Sequence, residues 1–141
     1  MRVLIDTNVL IDLIAMREPW YTYALRIVDA CDRNLLSGCI AAHSIPNIYY
    51  ILRRELSSDA RKEALKALCE IFAVEGLDKY KLIEALQDML FHDFEDCLQM
   101  CCASSFNADY IITRNEDDFM NSRIPSIAPD VFCHNFLDAV K

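Results

Sequence analysis

The sequence predicts an α/β fold with a mainly parallel central sheet covered by helices on both faces. Short apolar runs at Val3 to Ile5, Cys39 to Ala42 and Tyr110 to Thr113 have the length of buried strands. Between them lie longer stretches whose apolar residues recur at spacings of three and four, the period of an amphipathic helix. Strands separated by helices join through right-handed crossovers, which make neighbouring strands parallel and bury both sheet faces. The chain has 141 residues, of which 54% are hydrophobic, with only two glycines and four prolines and no repeat or polar linker. That composition supplies a substantial core and marks no boundary, so one domain spanning residues 1–141 is expected.

Taken in order, Val3-Leu4-Ile5 is a strand that stops at Asp6, and Val9 to Met16 is a short helix. Pro19 suits the first turn of a second helix reaching about Asn34, with Tyr21, Leu25, Val28 and Cys31 on one face. Ser37-Gly38 breaks the chain before the strand at Cys39 to Ala42. Ser44 then caps a helix with Pro46 in its first turn and Ile48, Leu52 and Leu56 as its stripe. Ser57 or Ser58 caps the next helix, which turns Leu65, Leu68, Ile71 and Phe72 inward. Val74 to Leu77 is a brief strand, and Asp78 caps a helix with Ile83, Leu86 and Leu90 on its apolar face. A helix opening at His92-Asp93-Phe94-Glu95-Asp96 carries Phe94, Leu98 and Cys101 inward and ends at Asn107-Ala108-Asp109. After the strand at Tyr110 to Thr113, residues Arg114 to Phe119 form a polar turn or single helical turn. Ile127-Ala128 is an edge strand, and a final helix starts near Pro129.

Composition narrows the function classes. No apolar run approaches the roughly 18 residues of a membrane span, and Met1-Arg2 leads straight into a strand without a signal-peptide layout. A cytoplasmic protein without membrane association is expected. The seven cysteines are scattered through apolar positions with no C-x-x-C pair, the pattern of buried free thiols. His92, Cys97 and Cys101 do not make a zinc set, because no further Cys and His residues stand at zinc-site spacing. Glycine-rich phosphate loops and a definable Ser-His-Asp arrangement are absent. The net charge of -8 weighs against nucleic-acid binding by bulk attraction. Carboxylates converging on a divalent metal would invert that field locally.

Three acidic or amide clusters follow apolar segments: Asp6 with Asn8 and Asp12, Asp93 with Asp96, and Asn115 with Asp117 and Asp118. In a parallel sheet ligands collect beyond the carboxyl ends of strands, which is where Asp6 and residues 114–118 fall. Asp93 and Asp96 lie only about 60° apart around a helix. Magnesium and manganese take hard oxygen ligands from a few carboxylates and keep several waters, so these clusters suit either ion.

In ordered combination, Asp6-Thr7-Asn8-Val9-Leu10, Asp93-Phe94-Glu95-Asp96, and Thr113-Arg114-Asn115 with Asp118-Phe119 resemble the PIN domain family over about Arg2 to Phe136. Asn47 to Arg53 resembles one bacterial branch of it. The resemblance implies a three-layer α/β/α domain and metal-dependent endoribonuclease activity that hydrolyses RNA phosphodiester bonds by a metal-activated water. It often implies the toxin of a VapC-type toxin-antitoxin pair, with a cognate antitoxin protein as partner and a homodimer as assembly. Carried over by position, Asp6, Asp96, Asn115 and Asp118 match the family's catalytic and metal-binding positions, with Mg2+ or Mn2+ as cofactor, while Thr7, Asn8 and Thr113 are supporting residues. Arg53, Arg54 and Arg114 are candidates for RNA phosphate contacts.

One departure concerns Asn47, three residues after Ser44, where the family usually has a glutamate. An amide ligates through oxygen without negative charge, which lowers metal affinity; Asp93 or Asp12 is a candidate to compensate. The alternative reading is a catalytically weak PIN-fold module that binds RNA or a protein. A phosphatase or DNA nuclease using the same acids is a third. Each residue also has a structural reading. Asp6 and Asp93 suit N-caps, Asp96 suits position N3, Asn115 and Asp118 suit a turn, and Arg53, Arg61, Lys62 and Lys66 suit a solvated helix face. Trp20, Tyr21 and Tyr23 suit either core packing or an exposed contact with bases or a partner.

Overall fold

The computed structural model describes residues 1–138. Five strands form one parallel sheet: β1 (Arg2–Ile5), β2 (Ser37–Ala41), β3 (Ala73–Glu75), β4 (Tyr110–Ile112) and β5 (Ser126–Ile127). Their spatial order is β3-β2-β1-β4-β5, and every adjacent pair is parallel. The crossovers are α1 (Thr7–Ile14) with α2 (Tyr21–Asp32), then α3 (Ser44–Ile51) with α4 (Ser58–Ile71), then α5 (Lys79–Gln87) with α6 (Phe94–Ser105). A 3-10 turn (Glu116–Phe119) joins β4 to β5, and α7 (Pro129–Phe132) leads into one π-helical turn (Cys133–Leu137).

Alternation along the strands builds two cores from one sheet. Val3 and Ile5 of β1, with Ile40 and Ile112, pack against α1, α2, α3, α4 and α7. Leu4, Cys39, Ala41 and Ile111 point the other way, onto Ala85 of α5 and the buried side of α6. This is the expected three-layer α/β/α arrangement. Val9 and Leu10 of α1 are completely buried, each contributing roughly 1.5–3 kcal/mol of apolar transfer. Gly38 is set by the same packing, since a Cβ there would stand 2.7 Å from Cys31 Sγ and 2.8 Å from the Phe72 ring.

Several elements differ from the sequence reading for identifiable reasons. The helix after β1 begins at Thr7 because Asp6 itself caps it, its side chain accepting from Thr7 N. Pro19 lies before α2, which starts at Tyr21 with Trp20 as N-cap. Ser44 does not cap α3: His43 stands at the N-cap position without a side-chain capping bond, and Ser44 is a buried first residue whose hydroxyl is used elsewhere. Ser57 and Asp78 do cap α4 and α5. Leu52 is buried beyond the end of α3, in the turn that follows it.

The expected inward face of α5 is exposed at Ile83 and Leu86, the latter 70% accessible, and Leu90 lies beyond the helix, which ends at Gln87. A helix beside a short edge strand has one neighbour, α6, so only the line through Leu82 and Ala85 is covered. Phe94, placed inward by its spacing, is exposed in the first turn of α6. Six of the seven cysteines are buried free thiols, and Cys69 is an exposed one. Among the described residues no helix is long and apolar enough to cross a membrane.

Candidate functional site

The chain leaves β1 toward β2 and β3 on one side and returns to β4 on the other, so the order of the sheet reverses between β1 and β4. Helices on opposite faces diverge at such a point and leave a crevice at the carboxyl ends of the strands. The pairing of Ile5 with Ile112 puts Asp6 beside Thr113 at this position. Asp6 is 6% exposed, and Thr113 is fully buried. Asp6 Oδ1 accepts from Thr7 N at 2.7 Å, and Oδ2 accepts from the Thr113 hydroxyl at 2.8 Å. Each oxygen therefore has one protein donor, and a carboxylate has about four acceptor sites.

Burial raises the proton affinity of Asp6 above the usual carboxylate range. The Thr113 and Thr7 hydrogen bonds oppose that shift, whereas the negative charges of Asp118 and Asp93 add to it. Asp96, at the third position of α6, is pushed up to about 7 by burial and then by Asp93, Asp6, Asp118 and Glu95. Asp93 is the N-cap of α6, with Oδ1 accepting from Asp96 N at 3.0 Å, so it serves the expected structural role while its charge reaches both buried Asp6 and half-buried Asp96. Asp118 is presented by the 3-10 turn, its N–H donating to Asn115 O at 3.0 Å. The structure thus brings Asp6, Asp93, Asp96 and Asp118 into one field, and among the described residues none of the four forms an ion pair.

A buried polar cluster holds the crevice walls together. Thr7 Oγ1 and Ser44 Oγ lie 2.8 Å apart, and Gln99 Nε2 donates to both, at 3.0 and 2.9 Å. Gln99 is 2% exposed and links the starts of α1 and α3 to α6, while its Oε1 has no partner among the described residues. Asn8 Nδ2 donates to Thr113 Oγ1 and Asn8 Oδ1 accepts from Arg114 N, both at 3.4 Å. Asn115 N also donates to Thr113 Oγ1, at 3.0 Å, which fixes the turn carrying Asn115 and Asp118. Thr7 N and the Thr113 hydroxyl thus bond Asp6, and Asn8 reaches the same carboxylate only through Thr113. Gln99 and Ser44 were not among the predicted site residues; the signal for Gln99 was a single amide on the otherwise apolar face of α6.

Asn47 lies on α3 and donates from Nδ2 to Glu95 Oε2 at 3.4 Å. Glu95, another residue missed in the sequence, thus links position 47 to the charge around Asp96. Asp12 is not part of this group. It is 1% exposed and bound by Arg114, with Nε to Oδ2 at 2.6 Å and Nη2 to Oδ1 at 3.2 Å. Both oxygens of Asp12, named above as a candidate to compensate for Asn47, are therefore engaged by Arg114. Arg114 also stacks on Trp20 at 4.0 Å, which occupies the guanidinium expected to reach for phosphate. Arg53 and Arg54 are exposed beyond α3, Arg53 lying over the Tyr50 ring at 3.8 Å. Cys97 and Cys101 are core residues, with Cys101 donating to Glu84 at 3.0 Å, and His92 is exposed.

The donor set fits a divalent cation of the hard class. Oxygen atoms dominate it, and the charges of Asp93 and Asp118 raise the proton affinities of Asp6 and Asp96, neither of which forms an ion pair among the described residues. Among the described residues, no group of three or more His, Cys, Asp or Glu side chains is placed to hold a metal ion by itself. An open set matches magnesium or manganese, which retain waters alongside one or two carboxylates.

A family model described as "PIN domain" matches residues 2–117. No curated protein matches the chain. Among solved structures, a chain of VapBC2 from Rickettsia felis, bound to a DNA fragment from their promoter, superposes with a TM-score of 0.64 at 14% identity, covering 91% of this chain and 98% of that one. VapC20 from Mycobacterium tuberculosis, a sarcin-ricin loop cleaving toxin, gives 0.63 at 14% identity over 77% of this chain and 86% of its own. A chain of FitAB bound to an IR36 DNA fragment gives 0.64 at 12% identity, with 90% and 94% covered. At these identities the likeness is one of fold.

Proposed function

The chain belongs to the PIN domain family, and from that premise we propose that it is a metal-dependent endoribonuclease acting as the toxin of a toxin-antitoxin pair. The observation that carries the reading is the convergence of Asp6, Asp96, Asp93 and Asp118 at the β1/β4 switch point without a basic partner. Asp6 and Asp96 are the principal ligands for Mg2+ or Mn2+, and Asp118 and Asn115 complete the open side. A bound divalent cation would supply Lewis acidity, lowering the pKa of water and stabilising charge that develops on phosphate oxygens. Thr113 and the Thr7 N–H hold the Asp6 carboxylate in one orientation. Gln99 bonds Thr7 and Ser44 and so ties α6 to the starts of α1 and α3 beside the crevice. Glu95, bonded to Asn47, places negative charge near the position where the glutamate is absent.

RNA is the substrate class, with Arg53 and Arg54 the exposed basic residues nearest the end of α3 that can meet its phosphates. The VapBC2 and FitAB complexes among the structural relatives support an antitoxin as protein partner. The test is cleavage of labelled RNA by the purified protein in Mg2+ or Mn2+, alongside Asp6→Asn and Asp96→Asn. Both variants are expected to retain the wild-type circular dichroism spectrum and lose cleavage. Undiminished metal-dependent cleavage by either variant overturns the assignment.

A further inference from the structure

We propose that the cavity beside the Trp20–Arg114 stack is a subsite that receives one unpaired nucleobase of the RNA, an inference that rests on the nuclease reading above. This cavity of about 340 Å³ is lined by Trp20, Tyr23, Arg114, Ala128 and Asp130, among others. Arg114 also lines the polar concavity formed with Asn115 to Asp118, so the cavity adjoins the acidic centre through a shared residue. A strand with one phosphate at the acids can therefore place a neighbouring base here.

Two of its lining groups are planar, the Trp20 ring and the Arg114 guanidinium, stacked on one another at 4.0 Å. Arg114 is held on two sides, by two bonds to buried Asp12 and by the Trp20 ring. Its own backbone N–H donates to Asn8 Oδ1, so the residue is also tied to the site through the backbone. A buried ion pair gains little stability over an apolar pair of the same size. Trp20 remains 39% exposed despite being the largest apolar side chain in the chain. Together they present stacking surfaces of the kind that bind bases without a double helix, where aromatic rings and guanidinium planes lie against the base face. Asp130, at the rim, is an acceptor for an exocyclic amine, which favours adenine, cytosine or guanine over uracil. Because Asp12 already neutralises Arg114, the subsite recognises the base and not its phosphate.

Trp20 is the single tryptophan, so its fluorescence reports the cavity directly. Titration with adenosine, cytidine, guanosine and uridine, which carry no phosphate, is expected to quench Trp20 saturably, most weakly with uridine, while ribose has no effect. Ala128→Phe, which fills the cavity from an extended backbone position, is expected to keep the fold by circular dichroism and to weaken nucleoside binding about tenfold or more, the range of one lost stacked base. Absence of saturable quenching by all four nucleosides overturns the proposal, as does unchanged affinity in folded Ala128→Phe. RNA cleavage without nucleoside quenching removes the subsite and leaves the nuclease reading intact. Quenching without cleavage does the reverse.

Discussion

Replacing Asp96 by Asn should stabilise the metal-free protein at alkaline pH, and the size of the effect follows from the crowding of carboxylates. Asp96 ionises near 3.8 in an unfolded chain and is pushed up to about 7 in the folded one. Between those values the native state holds a proton that the unfolded state has released, so stability falls as pH rises from about 4 to 7 and the loss is complete above 7. The difference of roughly three units corresponds to about 4 kcal/mol at most. Partial exposure of Asp96 and the burial of the replacement amide reduce this to about 2 kcal/mol. For a chain of this size that is a rise of about 6 °C or more in the melting temperature. Thermal unfolding followed by circular dichroism in EDTA, at pH 8 and pH 4, measures it. The expected outcome is a clear gain for Asp96→Asn at pH 8 and little difference at pH 4. An equal shift at both values, or destabilisation at pH 8, would refute the idea that the acids repel one another across the crevice.

Three further outcomes test other links. Arg114→Ala leaves Asp12 buried without its cation and should cost about 3–5 kcal/mol in urea unfolding at pH 7; adding Asp12→Asn should recover a large part of it, and a cost under about 1 kcal/mol would contradict the pairing. Gly38→Ala forces a Cβ against Cys31 and Phe72 and should destabilise by about 1–3 kcal/mol in the same assay, whereas neutrality would mean those side chains yield freely. Asn47→Glu puts a carboxylate on α3 opposite Glu95 and should raise Mn2+ affinity about tenfold in calorimetry, and an unchanged affinity would place residue 47 outside the metal site.

Local signals carried much of the fold. A strand of apolar residues ending at Asp6, and the turn after Tyr110 to Ile112, are short in sequence, and their position follows from parallel topology. The burial of α5 was not legible, because Ile83, Leu86 and Leu90 have the helical period of a packing face, whereas the helix ends at Gln87 and packs mainly on α6, which leaves Ile83 and Leu86 open. The pairing of Asp12 with Arg114 joins residues far apart in the chain, and nothing at either position announces it. Gln99 looked like a lone polar interruption of an apolar helix; its role depends on Thr7 and Ser44 arriving from two other elements. The acids at 6, 93, 96 and 118 were legible as types and order, whereas their mutual field is a property of the folded switch point.

Calorimetric titration of Mn2+ into the wild-type protein and Asp96→Asn at pH 8, where Asp96 is ionised, addresses the carboxylate crevice most directly. The wild type is expected to bind with a dissociation constant below about 1 mM, and the variant at least about tenfold more weakly. Equal affinity in the two proteins, or no binding by the wild type, would contradict the assignment of this crevice as a divalent-metal centre.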